Sequence, residues 1–147
     1  MPYGKLTVTK IGDVDCRAIW ELHKPFEWTN GIMKIIVPVG FQCDFASIPQ
    51  FALSILGDIG QEAGVVHDYL YRSDIMVIDV ECSHVGDPSV PITRQYADYI
   101  FYEICGEMGI EYWKRWSMWK AVRLCAKPHW QKRKVMEPFI ESNFNEW

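Results

Sequence analysis

No stretch of the 147-residue sequence approaches the roughly 20 consecutive apolar residues that span a bilayer. The opening residues, Met-Pro-Tyr-Gly-Lys-Leu-Thr, hold no apolar leader and no cleavage site, so a non-secreted protein is expected. Cysteine is sparse and poorly placed for cross-linking. The five (Cys16, Cys43, Cys82, Cys105, Cys125) are dispersed, odd in number and never in a C-x-x-C pair. They are expected to be reduced and mostly buried, which excludes a disulfide framework and a zinc cluster. Internal repeats, low-complexity tracts and linkers are absent, and one domain over residues 1–147 is expected. Acidic residues are scarce in one place. Between Glu111 and Lys134 there are eight Lys and Arg against the single acid Glu111, a net of +7 in a chain of net −4. A basic C-terminal third therefore sits on a body carrying −11.

What is present is an ordinary globular composition, 49% hydrophobic and 23% charged, which argues against disorder. Aromatics reach 14%, with seven Trp, enough to thicken a core or furnish a contact surface. The first third reads as strands, over about residues 5–38. Leu6, Val8 and Lys10 alternate with Thr7 and Thr9, and Arg17 to Leu22 has strand length. Asn30-Gly31 between two β-rich runs is a strong hairpin signal, because both residues tolerate positive φ. Pro38 then ends the second strand. Helices are expected over about 49–126: a short apolar one at 49–56, a second at 61–72, a third from the N-cap Thr93 to near Gly109, and a fourth at 112–126. A long loop follows the second helix, with a short strand at about 75–80, and residues 127–147 form an aromatic tail. Strands first and helices afterwards predict an α+β fold, a small N-terminal antiparallel sheet with a β-hairpin followed by a bundle of about four helices.

The chemically suggestive centre is Val66-His67-Asp68-Tyr69-Leu70-Tyr71. On a helix His67 and Tyr71 share a face, with Asp68 beside it. The third helix carries Asp98 among apolar residues, above an Ile100, Ile104, Met108 stripe. If these helices pair antiparallel, Asp98 can face His67. A buried carboxylate against imidazole fixes its tautomer and stabilises the imidazolium, leaving the other ring nitrogen to take a proton from water. Asp68, completed by Asp44, could then hold a divalent cation that polarises a carbonyl or phosphoryl oxygen. A satisfied polar pair in a helical core explains the same residues without chemistry.

Four ordered motifs carry a resemblance: Val37-Pro38-Val39-Gly40-Phe41, Asp44-Phe45-Ala46-Ser47-Ile48-Pro49, His67-Asp68-Tyr69-Leu70-Tyr71 and Ala97-Asp98-Tyr99-Ile100-Phe101. Together they look like the phage and prophage family catalogued as domain of unknown function 1353, over roughly residues 26–123. The resemblance implies a phage or prophage origin: the host cytoplasm and then the virion as location, and other phage structural proteins as partners. A more local resemblance is to phospholipases of the A2 type, through His-Asp-x-x-Tyr on one helix and an Asp on an antiparallel one. It implies His67 as the base that activates water, Asp68 as a calcium ligand, Asp98 as the orienting acid and Tyr71 as a supporting hydroxyl. The secreted phospholipases flank the histidine with Cys, where this chain has Val65, Val66 and Leu70. Their glycine-rich calcium loop is missing, since the chain contains no Gly-x-Gly. A His-Asp metal phosphohydrolase would need further ligands from His23, His84 or His129, which fall outside the expected helices.

Two other features have double readings. Ser47 invites a nucleophile reading but lacks a Gly-x-Ser-x-Gly context, and Asp44 and Ser47 are expected instead to cap the helix near Pro49. The fourth helix interleaves Tyr112, Trp113, Trp116 and Trp119 with Lys114, Arg115, Lys120 and Arg123. Its aromatics are expected mostly to fill the core. Trp113, Trp116, Arg115 and the run Lys132-Arg133 are the candidate partner-binding residues, facing a protein, an anionic membrane surface or, less favoured, nucleic-acid bases. The sequence thus supports a tail- or baseplate-associated virion component, with an ester or phospholipid hydrolase as the alternative.

Overall fold

The computed structural model describes residues 6–14, 17–29, 33–45, 47–49, 51–52, 54, 61–72, 75–78, 89–91 and 93–130. The chain divides into two compact units, Met1–Asp44 with Ile75–Pro91 and Arg133–Trp147, and Phe45–Asp74 with Ile92–Lys132. The first unit is antiparallel β. Strands β1 (Val8–Val14), β2 (Arg17–Leu22) and β5 (Gln42–Cys43) form a sheet in the order β1-β2-β5. Strands β3 (Phe26–Thr29), β4 (Met33–Val37), β6 (Ile75–Ile78) and β7 (Ser89–Pro91) form another in the order β3-β4-β6-β7.

Alternation sets the register. Phe26 lies opposite Val37 and Trp28 opposite Ile35, and all four are buried. Glu27 and Ile36, one step away, point to the other face, where Ile36 is exposed. A slip of one residue would bring the two buried side chains of the slipped strand to the wrong side. The expected hairpin is formed, although its Asn30-Gly31 turn lies outside the described residues. The β1–β2 ladder shifts register between Lys10 and Gly12, a bulge placed at a glycine. Within this unit Gln42 donates to the buried Glu21 carboxylate at 3.0 Å, so that acid is not left bare.

The second unit is helical: α1 (Gln61–Arg72), α2 (Arg94–Glu107) and α3 (Tyr112–Cys125), followed by a 3-10 turn at Lys127–His129. The α+β class stands, but three helices are described rather than about four. Of the segment expected to be a helix at 49–56, Phe51, Ala52 and Ser54 have helical backbone, and the rest lies mostly outside the described residues. Thr93 caps α2 by accepting from the Tyr96 amide at 3.1 Å. The helix closes in a Schellman motif. Gly109 takes φ +85°, its N–H bonds Gly106 O at 3.1 Å, and the Ile110 N–H bonds Cys105 O at 3.1 Å. Ala63, Val66, Leu70, Ala97, Ile100, Phe101, Ile104, Met118 and Val122 are buried in this unit. No helix among the described residues is long and apolar enough to cross a membrane. Cys43 and Cys105 are buried thiols in no disulfide, and Cys125 is an exposed one; Cys16 and Cys82 lie outside the described residues.

Candidate functional site

The helical unit encloses a polar cluster built on α1 and α2. Antiparallel pairing brings His67 Nε2 to 2.7 Å from Asp98 Oδ1, and Tyr71 donates its hydroxyl proton to the same oxygen at 2.6 Å. The i, i+4 spacing of His67 and Tyr71 stacks their rings 4.3 Å apart, and Phe101 closes on the imidazole at 4.9 Å. The second carboxylate oxygen, Oδ2, faces cations. Arg123 Nη1 donates to it at 2.7 Å and Arg94 Nη1 at 3.5 Å. Arg94 also reaches Val122 O at 3.3 Å and Arg123 O at 2.9 Å, gripping carbonyls near the C-terminal end of α3.

These neighbours set the proton affinities. Burial pushes the Asp98 carboxyl upward, but hydrogen bonds and charge from His67, with help from Tyr71 and Arg123, outweigh it and hold it below its ordinary value. The Tyr71 phenol is pushed far up, first by burial and then by donating to Asp98, so it stays a proton donor throughout the physiological range.

The other ring nitrogen does not face water. His67 Nδ1 lies 2.9 Å from Ser47 Oγ, and Ser47 donates to Asp68 Oδ1 at 3.1 Å. His67 and Asp98 have 0% exposure and Ser47 has 1%. The water expected at the imidazole is thus replaced by a side-chain hydroxyl. Ser47, expected to cap the helix near Pro49, bridges two side chains of α1. Phe45 adopts a left-handed φ of 57°, and its ring lies so close to α1 that a Cβ on Gly64 would stand 2.7 Å from two ring carbons. The glycine therefore admits Phe45, and Phe45 turns the chain so that Ser47 reaches His67.

A single proton on Ser47 faces two acceptors. A carboxylate can only accept, so when the hydroxyl points to Asp68, His67 must donate from Nδ1. When it points to Nδ1, the Asp68 oxygen loses its hydrogen bond. The cluster is therefore a relay, Asp68–Ser47–His67–Asp98, with guanidinium groups at both ends, Arg72 lying 3.8 Å from Asp68 Oδ2.

The predicted residues fall into three groups. His67, Asp98 and Tyr71 come together. Asp68 joins them, but as a partner of Ser47 and Arg72. A guanidinium stands where a cation would sit, and no group of three or more His, Cys, Asp or Glu among the described residues is placed to hold a metal. Asp44, the other expected ligand, is half-buried at the end of the first unit. His23 is paired with Thr9 at 2.6 Å, His129 is exposed in the 3-10 turn, and His84 lies outside the described residues.

The α3 aromatics do not fill the core as expected. Met118, Ala121 and Val122 do so, while Trp113, Trp116, Tyr112 and Leu124 are exposed. Arg115 is half-buried and stacks over Tyr102 and Tyr112 at 5.2 and 5.6 Å. Lys132 and Arg133 lie outside the described residues. Ser47's inward role, Arg94, Arg123 and Arg72 were missed. Arg94 and Arg72 stand four residues from Asp98 and Asp68, a legible i, i+4 signal, whereas Arg123 has none.

No curated protein and no solved structure matches the chain. One family model, described as protein of unknown function, matches residues 20–122, which take in the end of β2, strands β3 and β4 and the whole His67 relay. The chain belongs to the DUF1353 family.

Proposed function

We propose that this protein is a phage- or prophage-encoded accessory component of the virion, associated with the tail or baseplate, and that its His67 relay is the keystone of the helical unit. The phage assignment is supported by the four ordered motifs and the family they resemble. The keystone role is supported by the imidazole: both its nitrogens are taken, the ring has no exposure, and every member of the relay meets another side chain of the same unit. Mass spectrometry of purified particles tests the first part. The chain is expected among the virion proteins, and its absence from particles overturns the assignment.

One observation favours a second reading, a serine hydrolase of the acyl-transfer type. Ser47 Oγ, His67 and Asp98 stand in series at 2.9 and 2.7 Å, the order of a nucleophile, base and orienting acid. In that chemistry Oγ attacks an ester carbonyl carbon while its proton passes to Nδ1. Asp98 stabilises the imidazolium through Nε2–H, and the proton then goes to the departing alkoxide. Water later hydrolyses the acyl-serine, regenerating Oγ–H. This route replaces the metal-assisted attack by water that the A2-type resemblance implies. A fluorophosphonate probe separates the readings. Labelling at Ser47, abolished in Ser47→Ala, supports the hydrolase; no label on Ser47 in the folded protein removes it.

A further inference from the structure

Helix α3 is apolar on two opposite sides. Met118, Ala121 and Val122 face the core. On the outside, Trp113, Lys120 and Leu124 fall along one line and Trp116 lies within about 60° of it, at 100° per residue. Their exposures are 61% for Trp113, 46% for Trp116 and 73% for Leu124, which is the most exposed large apolar side chain among the described residues. The helix contains no acid; Arg123 is bound to Asp98 and Arg115 lies over Tyr102 and Tyr112, while Lys114, the exposed Lys120 and, just beyond the helix, the exposed Lys127 remain beside the outer face. Lys114 sits over the Trp113 ring at 5.5 Å, and the indole N–H is held by Glu111 at 2.8 Å, so the ring stands with its face beside a cation.

We propose that this outer face of α3 docks on an anionic lipid surface. Indole rings favour the headgroup level, where an apolar body and a polar N–H are both satisfied. Lysine interleaved with them answers the negative charge of the leaflet, each such cation contributing about a five-fold gain in partitioning. Leu124 separates this occupant from single-stranded nucleic acid. Bases stack on Trp and phosphates pair with Lys, but neither has a use for an exposed leucine, which the acyl boundary buries. The overall charge of −4 does not oppose contact, because charges more than about 8 Å away are screened at physiological salt. The inference needs neither reading of the His67 relay.

Co-sedimentation of the full chain with phosphatidylglycerol vesicles, against phosphatidylcholine vesicles and a thymidine oligonucleotide, tests it. Binding to phosphatidylglycerol vesicles is expected, with little to phosphatidylcholine, and it should collapse near 1 M salt, where the screening length falls to about 3 Å. Trp113→Ser with Leu124→Ser should weaken it by about ten-fold or more. Lys120→Glu should weaken it by about five-fold or more. Both variants change exposed side chains, and an unchanged circular dichroism spectrum and Tm would show that the fold survives. Absence of vesicle binding, equal binding by wild type and both variants, or variant-sensitive capture of the oligonucleotide in place of vesicles would each overturn the proposal.

Discussion

Asp98 accepts from four donors, His67 and Tyr71 on one oxygen and Arg123 and Arg94 on the other. A carboxylate has about four lone-pair sites, so this one is filled. Asp98→Asn keeps the shape but turns an amide NH2 toward donors. A loss of about 3–5 kcal/mol is expected, the usual cost of breaking a buried pair from one side, measured by urea unfolding. Tyr71→Phe removes one donor and leaves three, so it should cost only about 1–2 kcal/mol. If the two losses are equal, the Arg and His contacts add nothing and the keystone picture fails. Thiol reactivity reports the same interior. Burial pushes the Cys105 thiol up to about 12, whereas Cys125 is exposed. Iodoacetamide followed by peptide mapping should modify Cys125 in the native protein and spare Cys105 until it unfolds.

At the scale of elements, α1 was legible to its ends, and α2 to its N-cap, where Thr93 accepts from the Tyr96 amide. The His67–Asp98 pair was legible too, since i, i+4 geometry and antiparallel return leave few other partners for a buried acid. Ser47 was not. Its partners lie 20 and 21 residues away, and the turn that aims it depends on Phe45 finding a glycine on a helix that follows later. Trp113 and Trp116 were legible as candidate contact residues, but the expectation that most α3 aromatics fill the core failed for a different reason. A helix apolar on both sides gives periodicity no basis for choosing the buried one. The Phe45–Gly64 contact yields a prediction against propensity. Gly64→Ala should gain about 1 kcal/mol as a helix residue, yet net destabilisation of about 1–3 kcal/mol is expected as the ring is displaced. Thermal unfolding decides it: a higher Tm would show that the ring yields freely. Gly109→Ala has open space but φ +85°, so it should cost about 1 kcal/mol through backbone strain alone.

For the whole molecule, the Asp98 neighbourhood translates into acid sensitivity. Burial raises this carboxyl, but His67, Tyr71 and Arg123 bring it below its ordinary value. Its folded value therefore lies below the unfolded one of about 3.9. Such a group stabilises the fold above the unfolded value, and that stability is lost as pH falls through the folded value. Tm should hold at mildly acidic pH and drop below about pH 4. Asp98→Asn should flatten that part of the Tm profile, and an unchanged acid limb would mean that other carboxyls govern it.

The grip of Arg94 and Arg123 on one carboxylate also has a temporal side. A ribosome delivers Asp98 well before Arg123, the residue that makes its 2.7 Å bond, and before the Val122 and Arg123 carbonyls that position Arg94. A nascent chain that has reached α2 thus carries an interior acid that already has His67 and Tyr71 for one oxygen but not yet the Arg123 guanidinium for the other. Closing α1 on α2 at that stage would leave Oδ2 without its shortest bond, so the site is complete only once α3 has been made.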